Sequence, residues 1–339
     1  MPIREINGRM AAAVKSIRKR GRCGYPASTA RLGGVGAKWP PPLPCGAWLG
    51  WSRDVGAKRL GGCCLLGFIW VVLVILCSPP RLEAGDSTWR RLDTGLSLAE
   101  FATAPGAGNG NDKITVLRID PDYYSFKLLC SSELGRIKLT AKEWCQKFQL
   151  TAAVNAGMYQ EDGLTSVGYM KNFDHVNNPR LGRDKAVMAF NPIDSGVPSI
   201  QLIDRDCQDF NSLKLKYRTL VQSIRMISCE QQNVWTQQPQ KWSTVAIGLD
   251  QEGQVLFLFC QAPRSVHDFV EILLSLPISI RNAMYLEGGP QASLYLSSNG
   301  VELAKSGAGE GAFAGNESVL FTWPIPNVIG IVKKPQPAP

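Results

Sequence analysis

The sequence predicts an α+β fold, a strand-rich mixed-sheet core with a few short helices, on three observations. Short apolar or alternating runs bounded by Gly, Pro, Asn and Asp recur from about residue 112 onward. Only two segments combine a helix-start signal with a helical apolar stripe. No Gly-rich phosphate loop stands between a strand and a helix, so a doubly wound nucleotide-binding sheet has no support.

The 339 residues suffice for one large domain or two small ones. The net charge of +9 is unevenly spread: residues 1–85 hold 13 Lys/Arg against 3 Asp/Glu, and residues 86–339 hold 24 against 25. A near-neutral folded part excludes a basic nucleic-acid groove. Residues 1–60 are basic, rich in Gly and Pro and without periodicity, and read as disordered or as sequence upstream of the true start. Residues 61–79 carry the apolar run Cys63 to Cys77 behind Lys58-Arg59, which reads as a signal peptide or a membrane anchor. Either reading places the remainder outside the cytoplasm, periplasmic or secreted.

Residues 80–111 read as a linker, and residues 112–323 as the folded domain. Ile114–Ile119 and Tyr124–Leu129 are expected as a hairpin around Asp120-Pro121-Asp122. Thr140 and Glu143 form a capping-box start to a helix running to Phe148. Leu150–Val154 reads as a strand delivering Asn155-Ala156-Gly157-Met158-Tyr159 to its end. Further strands are expected at 165–170, 186–190, 200–203, 219–222, 245–249 and 255–260, the last two joined by a turn at Asp250–Gly253. Ser265 starts a second helix with Val266, Phe269, Val270, Leu273 and Leu274 on one stripe. Residues 324–339 read as a flexible Pro-rich tail.

The strand Ala283–Leu286 ends abruptly at Glu287-Gly288-Gly289, where a rigid strand can present a carboxyl group and two glycines let the backbone approach a ligand. No CxxC or closely spaced Cys/His pair appears, so neither a metal site nor a cofactor is predicted. Five cysteines lie after residue 86, an odd number whose pairing the spacing leaves open. Neither His175 nor His267 stands in a nucleophile motif.

Several of these stretches, in this order, resemble the phosphodiester glycosidase family over about residues 112–323. Asn155–Tyr159 is similar to its Asn-Gly-Gly-aromatic region and Gln222-Ser223 to its Gln-Ser segment. Ala246–Asp250 with Gly253 matches its Ala-hydrophobic-Gly-hydrophobic-Asp hairpin, and Leu286–Gly289 stands where the family has Leu-Asp-Gly-Gly. The resemblance implies hydrolysis of a bond between an anomeric carbon and a phosphodiester, on an envelope or extracellular glycan. It implies Glu287 as the catalytic carboxyl group, with Asn155, Gly157, Tyr159, Gln222, Arg225, Gly288 and Gly289 around the substrate. Glu161, Asp162 and Asp174 are the candidates for a second acid.

Four departures set an alternative beside this, a non-catalytic carbohydrate-binding protein on the same fold. Thr244 occupies the position of a family Arg, with Lys241 the nearest cation in sequence; Ile224-Arg225 replaces Gly and Pro; Glu287 is one methylene longer than Asp; and Pro290-Gln291-Ala292 replaces Gly-Ser-Ser. Arg225, from a neighbouring strand, and Lys241 are the two candidates to restore the missing positive charge.

Overall fold

The computed structural model describes residues 89–103, 112–308 and 322–335. The apolar run at 61–79, expected to be a signal or anchor, lies outside the described residues, among which no helix is long and apolar enough to cross a membrane.

The described residues form three sheets. The first has seven strands: β1 (Trp89–Asp93), β2 (Leu96–Ala102), β3 (Lys113–Ile119), β13 (Val255–Arg264), β12 (Trp242–Asp250), β14 (Ile280–Gly288) and β11 (Arg225–Ile227), in that spatial order. The second runs β7 (His175–Asn178), β6 (Met170–Asn172), β10 (Tyr217–Ser223), β8 (Ala186–Pro192), β9 (Ile200–Asp204). The third runs β16 (Val301–Ser306), β15 (Ser293–Ser298), β5 (Ala152–Asn155), β17 (Asn327–Lys333), β4 (Tyr124–Cys130). Three helices accompany them: α1 (Ala141–Phe148), α2 (Phe210–Leu213) and α3 (Val266–Ser275). The strand-rich fold with few short helices is as expected. Every strand pairing among the described residues is antiparallel, however, so the sheets are not mixed.

One apolar core joins all three sheets. Phe126 of β4 meets Phe190 of β8 at 6.3 Å and Phe257 of β13 at 6.4 Å between ring centroids, both edge-on. Around this junction, Leu117, Ile247, Met284 and Leu286 of the first sheet share the core with Met188 and Val221 of the second and Val154, Leu294 and Ile329 of the third. The outer face of the third sheet is covered by α1, whose Trp144 is fully buried and donates its indole N–H to Ile325 O at 2.9 Å. The α1 start forms as its sequence dictates: Thr140 accepts from Glu143 N, and the Glu143 carboxylate accepts from Thr140 N at 2.8 Å. Ser265 likewise caps α3 by accepting from Asp268 N at 3.1 Å, and Val266, Phe269, Val270 and Leu273 are buried beneath it.

Four expectations are corrected. β3 and β4 are not a hairpin: the turn at Asp120 carries the chain from the first sheet to the third, where β4 pairs with β17. Residues 165–169 are not strand; β6 begins at Met170. The stretch expected to be a linker contains β1 and β2, which extend the first sheet from β3 through Leu98, Phe101 and their neighbours. The stretch expected to be a tail contains β17, a buried strand between β5 and β4. In both stretches the apolar residues outweigh the flanking Gly and Pro, because pairing satisfies the backbone and buries the side chains.

Cys207 and Cys229 form a disulfide that ties the turn after β9 to the turn after β11. Cys130, Cys145 and Cys260 are free and buried. The bridge closes a loop with a sequence separation of 22, for which the chain-entropy account gives about 3 kcal/mol. Cys207→Ser/Cys229→Ser is therefore expected to unfold at a lower denaturant concentration by about that free energy, as is the unmodified chain under reductant. An equal midpoint with and without reductant would refute a stabilising bridge.

Candidate active site

Glu287 sits next to the end of β14 with 6% of its surface exposed. Across the sheet, Val245 pairs with Glu287 while Ala246 pairs with Tyr285, so Leu286 is an extra residue in the strand. Such a bulge re-aims the side chain that follows it. Glu287 Oε1 accepts a hydrogen bond from its neighbour Gly288 N at 3.0 Å. Burial pushes its pKa up from 4.5 to about 8, partly opposed by that N–H. The phenols of Tyr159 and Tyr285 are raised too, by burial first and then by the Glu287 charge. The carboxyl group and both hydroxyls therefore share one electrostatic neighbourhood.

Gly288 is required by close approach. A Cβ there would fall under 3.0 Å from Tyr285 Oη and from the Trp242 indole, so a side chain has no room. Trp235 packs against Tyr285 with ring centroids 5.4 Å apart and the planes tilted by 38°, which makes Trp235, Tyr285 and Trp242 one aromatic group beside the carboxyl strand. Two buried polar atoms next to Gly288 lack a hydrogen bond of good geometry. One is Trp242 Nε1, which approaches the Tyr285 hydroxyl without aligning on it. The other is Oγ1 of Thr244, the residue paired with Gly288 across the sheet. Unsatisfied buried polar groups are uncommon and call for a partner. Gly289 opens a short 3₁₀ turn, Gly289–Gln291, with its carbonyl accepting from Ala292 N at 3.1 Å.

The other expected residues divide by what their polar groups do. Asn155 is buried at the end of β5, donating to Gln291 O at 3.0 Å and accepting from Ser293 N at 2.8 Å. It fixes the turn that follows Glu287-Gly288-Gly289. Gln222 is also buried: its Oε1 accepts from Tyr169 N and Gly182 N, and its Nε2 donates to Gly182 O and Asp184 O. Both amides are thus spent inside the protein, and each acts as a positioning group. Gly157 has φ of 116°, and a Cβ there would meet nothing within 4 Å, so this backbone borders open space close to Tyr159.

Arg225 does not supply the charge that Thr244 lacks. Its Nη1 donates to both Asp204 oxygens at 2.6 and 2.8 Å and its Nη2 lies 3.1 Å from Asp206 Oδ2, beside the disulfide. A paired guanidinium of this kind is held by its carboxylates and is costly to withdraw. Lys241 is exposed. Of the second-acid candidates, Asp162 accepts from Leu164 N, Thr165 N and Thr165 Oγ1 and so shapes its own turn, while Glu161 and Asp174 are exposed.

Sequence reasoning missed Trp235, Trp242 and Tyr285. Tyr285 lies in an apolar run that equally describes a core, and Trp235 and Trp242 stand in a polar, Gln-rich stretch that marks neither as part of a site. The aromatic group forms through pairing of β12 with β14, a contact made across a sheet.

The phosphodiester glycosidase family matches residues 148–332, which contain Asn155, Gln222, Thr244 and Glu287. No curated protein matches the chain at a significant level. Among solved structures, the chain is similar to the zebrafish N-acetylglucosamine-1-phosphodiester alpha-N-acetylglucosaminidase catalytic domain auto-inhibited by its pro-peptide. That likeness has 12% identity and a TM-score of 0.53 over 72% of this chain and 86% of that one. It is also similar to a hypothetical protein from Synechocystis, with 13% identity and a TM-score of 0.49 over 73% of this chain and 63% of that one. At 12% identity the likeness to the zebrafish domain is one of fold. With more than half of its residues matched by the family, the chain belongs to the phosphodiester glycosidase family.

Proposed function

We propose that this protein hydrolyses a glycosyl phosphodiester, cleaving the bond between the anomeric carbon and the phosphate oxygen of an extracytoplasmic glycan or its precursor. The observation that carries this reading is Glu287: a buried carboxyl group, neutral below about pH 8, at a strand end followed by two glycines, where the sequence resemblance expects the family's carboxylate. A phosphodiester is anionic, and an ionised carboxylate beside it with no cation would repel it. A neutral acid can instead donate a hydrogen bond to a phosphate oxygen as the C1–O bond breaks. Water supplies the hydroxyl that ends on C1, and its second proton balances the departing phosphomonoester. Thr244 Oγ1, paired across the sheet with Gly288, is a buried hydroxyl without a hydrogen-bond partner, a group that a ligand reaching this strand end could satisfy. Tyr159, half-buried and two residues from the open space at Gly157, is suited to stack on a sugar ring.

The Cys207–Cys229 disulfide supports an oxidising compartment, in line with the apolar stretch at 61–79 as a signal or anchor. A second reading, recognition of the same ligand without turnover, is favoured by one specific observation: Arg225 is held by Asp204 and Asp206 while Thr244 stands in the place of the family Arg.

The discriminating measurement is a panel of sugar-1-phosphodiesters offered to the full chain and to Glu287→Gln. Turnover by the unmodified protein that falls by about 10²-fold or more in the variant, with circular dichroism unchanged, is the expected result. Saturable binding by both proteins with turnover by neither would establish the recognition reading instead.

A further inference from the structure

A second cluster of chemically competent side chains lies at a junction between the third and second sheets. Cys130 closes β4, Glu133 lies in the turn that follows, and His175 opens β7. One ligand atom from each, the thiol sulfur, a carboxylate oxygen and a ring nitrogen, lies within 4.8 Å of the other two. The thiol is fully buried, His175 is half-buried and Glu133 is exposed, so the group is graded from interior to solvent and has an entry path. Met170 Sδ, from β6, lies 3.7 Å from Cys130 Sγ and walls the inner side.

The surrounding hydrogen bonds orient these groups as an outer shell does. Ser132 Oγ lies 2.9 Å from His175 Nε2 and accepts from Asn177 Nδ2 at 2.8 Å. The Ser132 contact holds the His175 ring at Nε2, as outer-shell hydrogen bonds orient ligating histidines. Asn172 Nδ2 donates to Glu133 Oε2 at 2.9 Å. Tetrahedral zinc places its sulfur, nitrogen and oxygen ligands about 2.0–2.3 Å from the ion, and inward side-chain rotation of about 1 Å would bring the three donors to that range.

We propose that Cys130, Glu133 and His175 bind one zinc ion, with solvent at the fourth position. The motif is invisible to local spacing because Cys130 and His175 are 45 positions apart. Binding exchanges the thiol proton for the metal: the Cys130 S–H bond breaks, a zinc–thiolate bond forms, and the proton leaves to solvent.

The site shares no residue with the Glu287 cluster. It joins β4 to the β6–β7 hairpin, and that hairpin holds Ser166 through Asn177 Oδ1 at 2.7 Å and Asn178 Nδ2 at 2.8 Å. Ser166 in turn bridges to Tyr159. Zinc would thereby brace the loop that carries Tyr159 toward the carboxyl group.

The test is metal binding by the full chain, stripped with a chelator and titrated with zinc against a chromophoric competitor, then with cobalt. The expected result is an increment of one zinc per chain that disappears in His175→Ala and in Cys130→Ser, a loss of affinity of about 100-fold or more. Cobalt should give a near-ultraviolet thiolate charge-transfer band together with visible bands of tetrahedral intensity. Zinc should also raise the unfolding temperature of the unmodified protein but not of His175→Ala. That variant replaces a half-buried side chain and remains informative should Cys130→Ser fail to fold. Zinc uptake unchanged in His175→Ala, a cobalt complex without the thiolate band, or preferential loading by copper(I) would overturn the assignment.

Discussion

Glu287→Gln is expected to make the protein more stable in alkaline solution while removing its activity. Unfolded, the Glu287 carboxyl group titrates near 4.5; folded, burial holds it protonated to about 8. Between those limits the native state keeps a proton that the unfolded state has lost, so stability falls as pH rises, by about 1.4 kcal/mol per pH unit. Below 4.5 both states are protonated and the group contributes nothing. Above about 8 the whole penalty is present, roughly 5 kcal/mol over that interval. The substituted amide would keep an oxygen for the Gly288 N–H and could not ionise. Denaturant unfolding of both proteins at pH 5 and pH 8.5 measures the difference. The gap between them should widen by several kcal/mol toward the higher pH, and all other titrating groups cancel in the comparison. Parallel pH profiles for the two proteins would show that Glu287 ionises in the native state as it does in water. The same titration gives the proposed chemistry its sign: turnover that depends on a neutral Glu287 declines as pH rises through about 8.

What was legible in advance was local. Thr140 and Glu143 announce α1 because the residues that cap it are three positions apart, and Asp250–Gly253 announces a turn for the same reason. Glu287 stood out because an apolar run stops at a carboxyl group followed by two glycines. The roles of Asn155 and Gln222 were not legible, although both residues were singled out. Their amides bind backbone groups 136 and 40 positions away, and nothing near either residue marks it as a brace instead of a ligand donor. β17 was obscured by its Pro-rich surroundings. Its seven residues alternate too weakly to display a face, because both faces are covered, and only the pairing with β5 and β4 makes it central. Arg225 shows the same limit for charge: the carboxylates that claim it come from the end of β9 and the turn beyond, some twenty positions earlier in the chain.

Gly288→Ala should be among the most damaging single-methyl additions in the molecule. At this position φ is −139°, ordinary extended backbone, so alanine suffers no conformational strain and any cost is steric. The added Cβ would overlap Tyr285 Oη and the Trp242 indole, and both rings are buried, at 2% exposure each, with no route into solvent. Relief requires β12 and β14 to separate or the aromatic group to repack, and overpacking of this kind costs about 3 kcal/mol. Gly182→Ala is the matched control: its Cβ would lie 3.5 Å from Gln222 Oε1, an ordinary contact, and its stability should change by less than about 1 kcal/mol. Because Trp242 supplies two of the three nearest atoms to the added Cβ, Gly288→Ala/Trp242→Ala should recover part of the loss relative to the sum of the two single variants, a coupling that denaturant midpoints read directly. Additive effects would place the indole away from Gly288. The same displacement bears on Glu287, whose raised pKa depends on burial by these neighbours. An alanine that forces the rings apart admits water to the carboxyl group and returns its titration toward 4.5, so the stability gained by Glu287→Gln at pH 8.5 should shrink in the Gly288→Ala background.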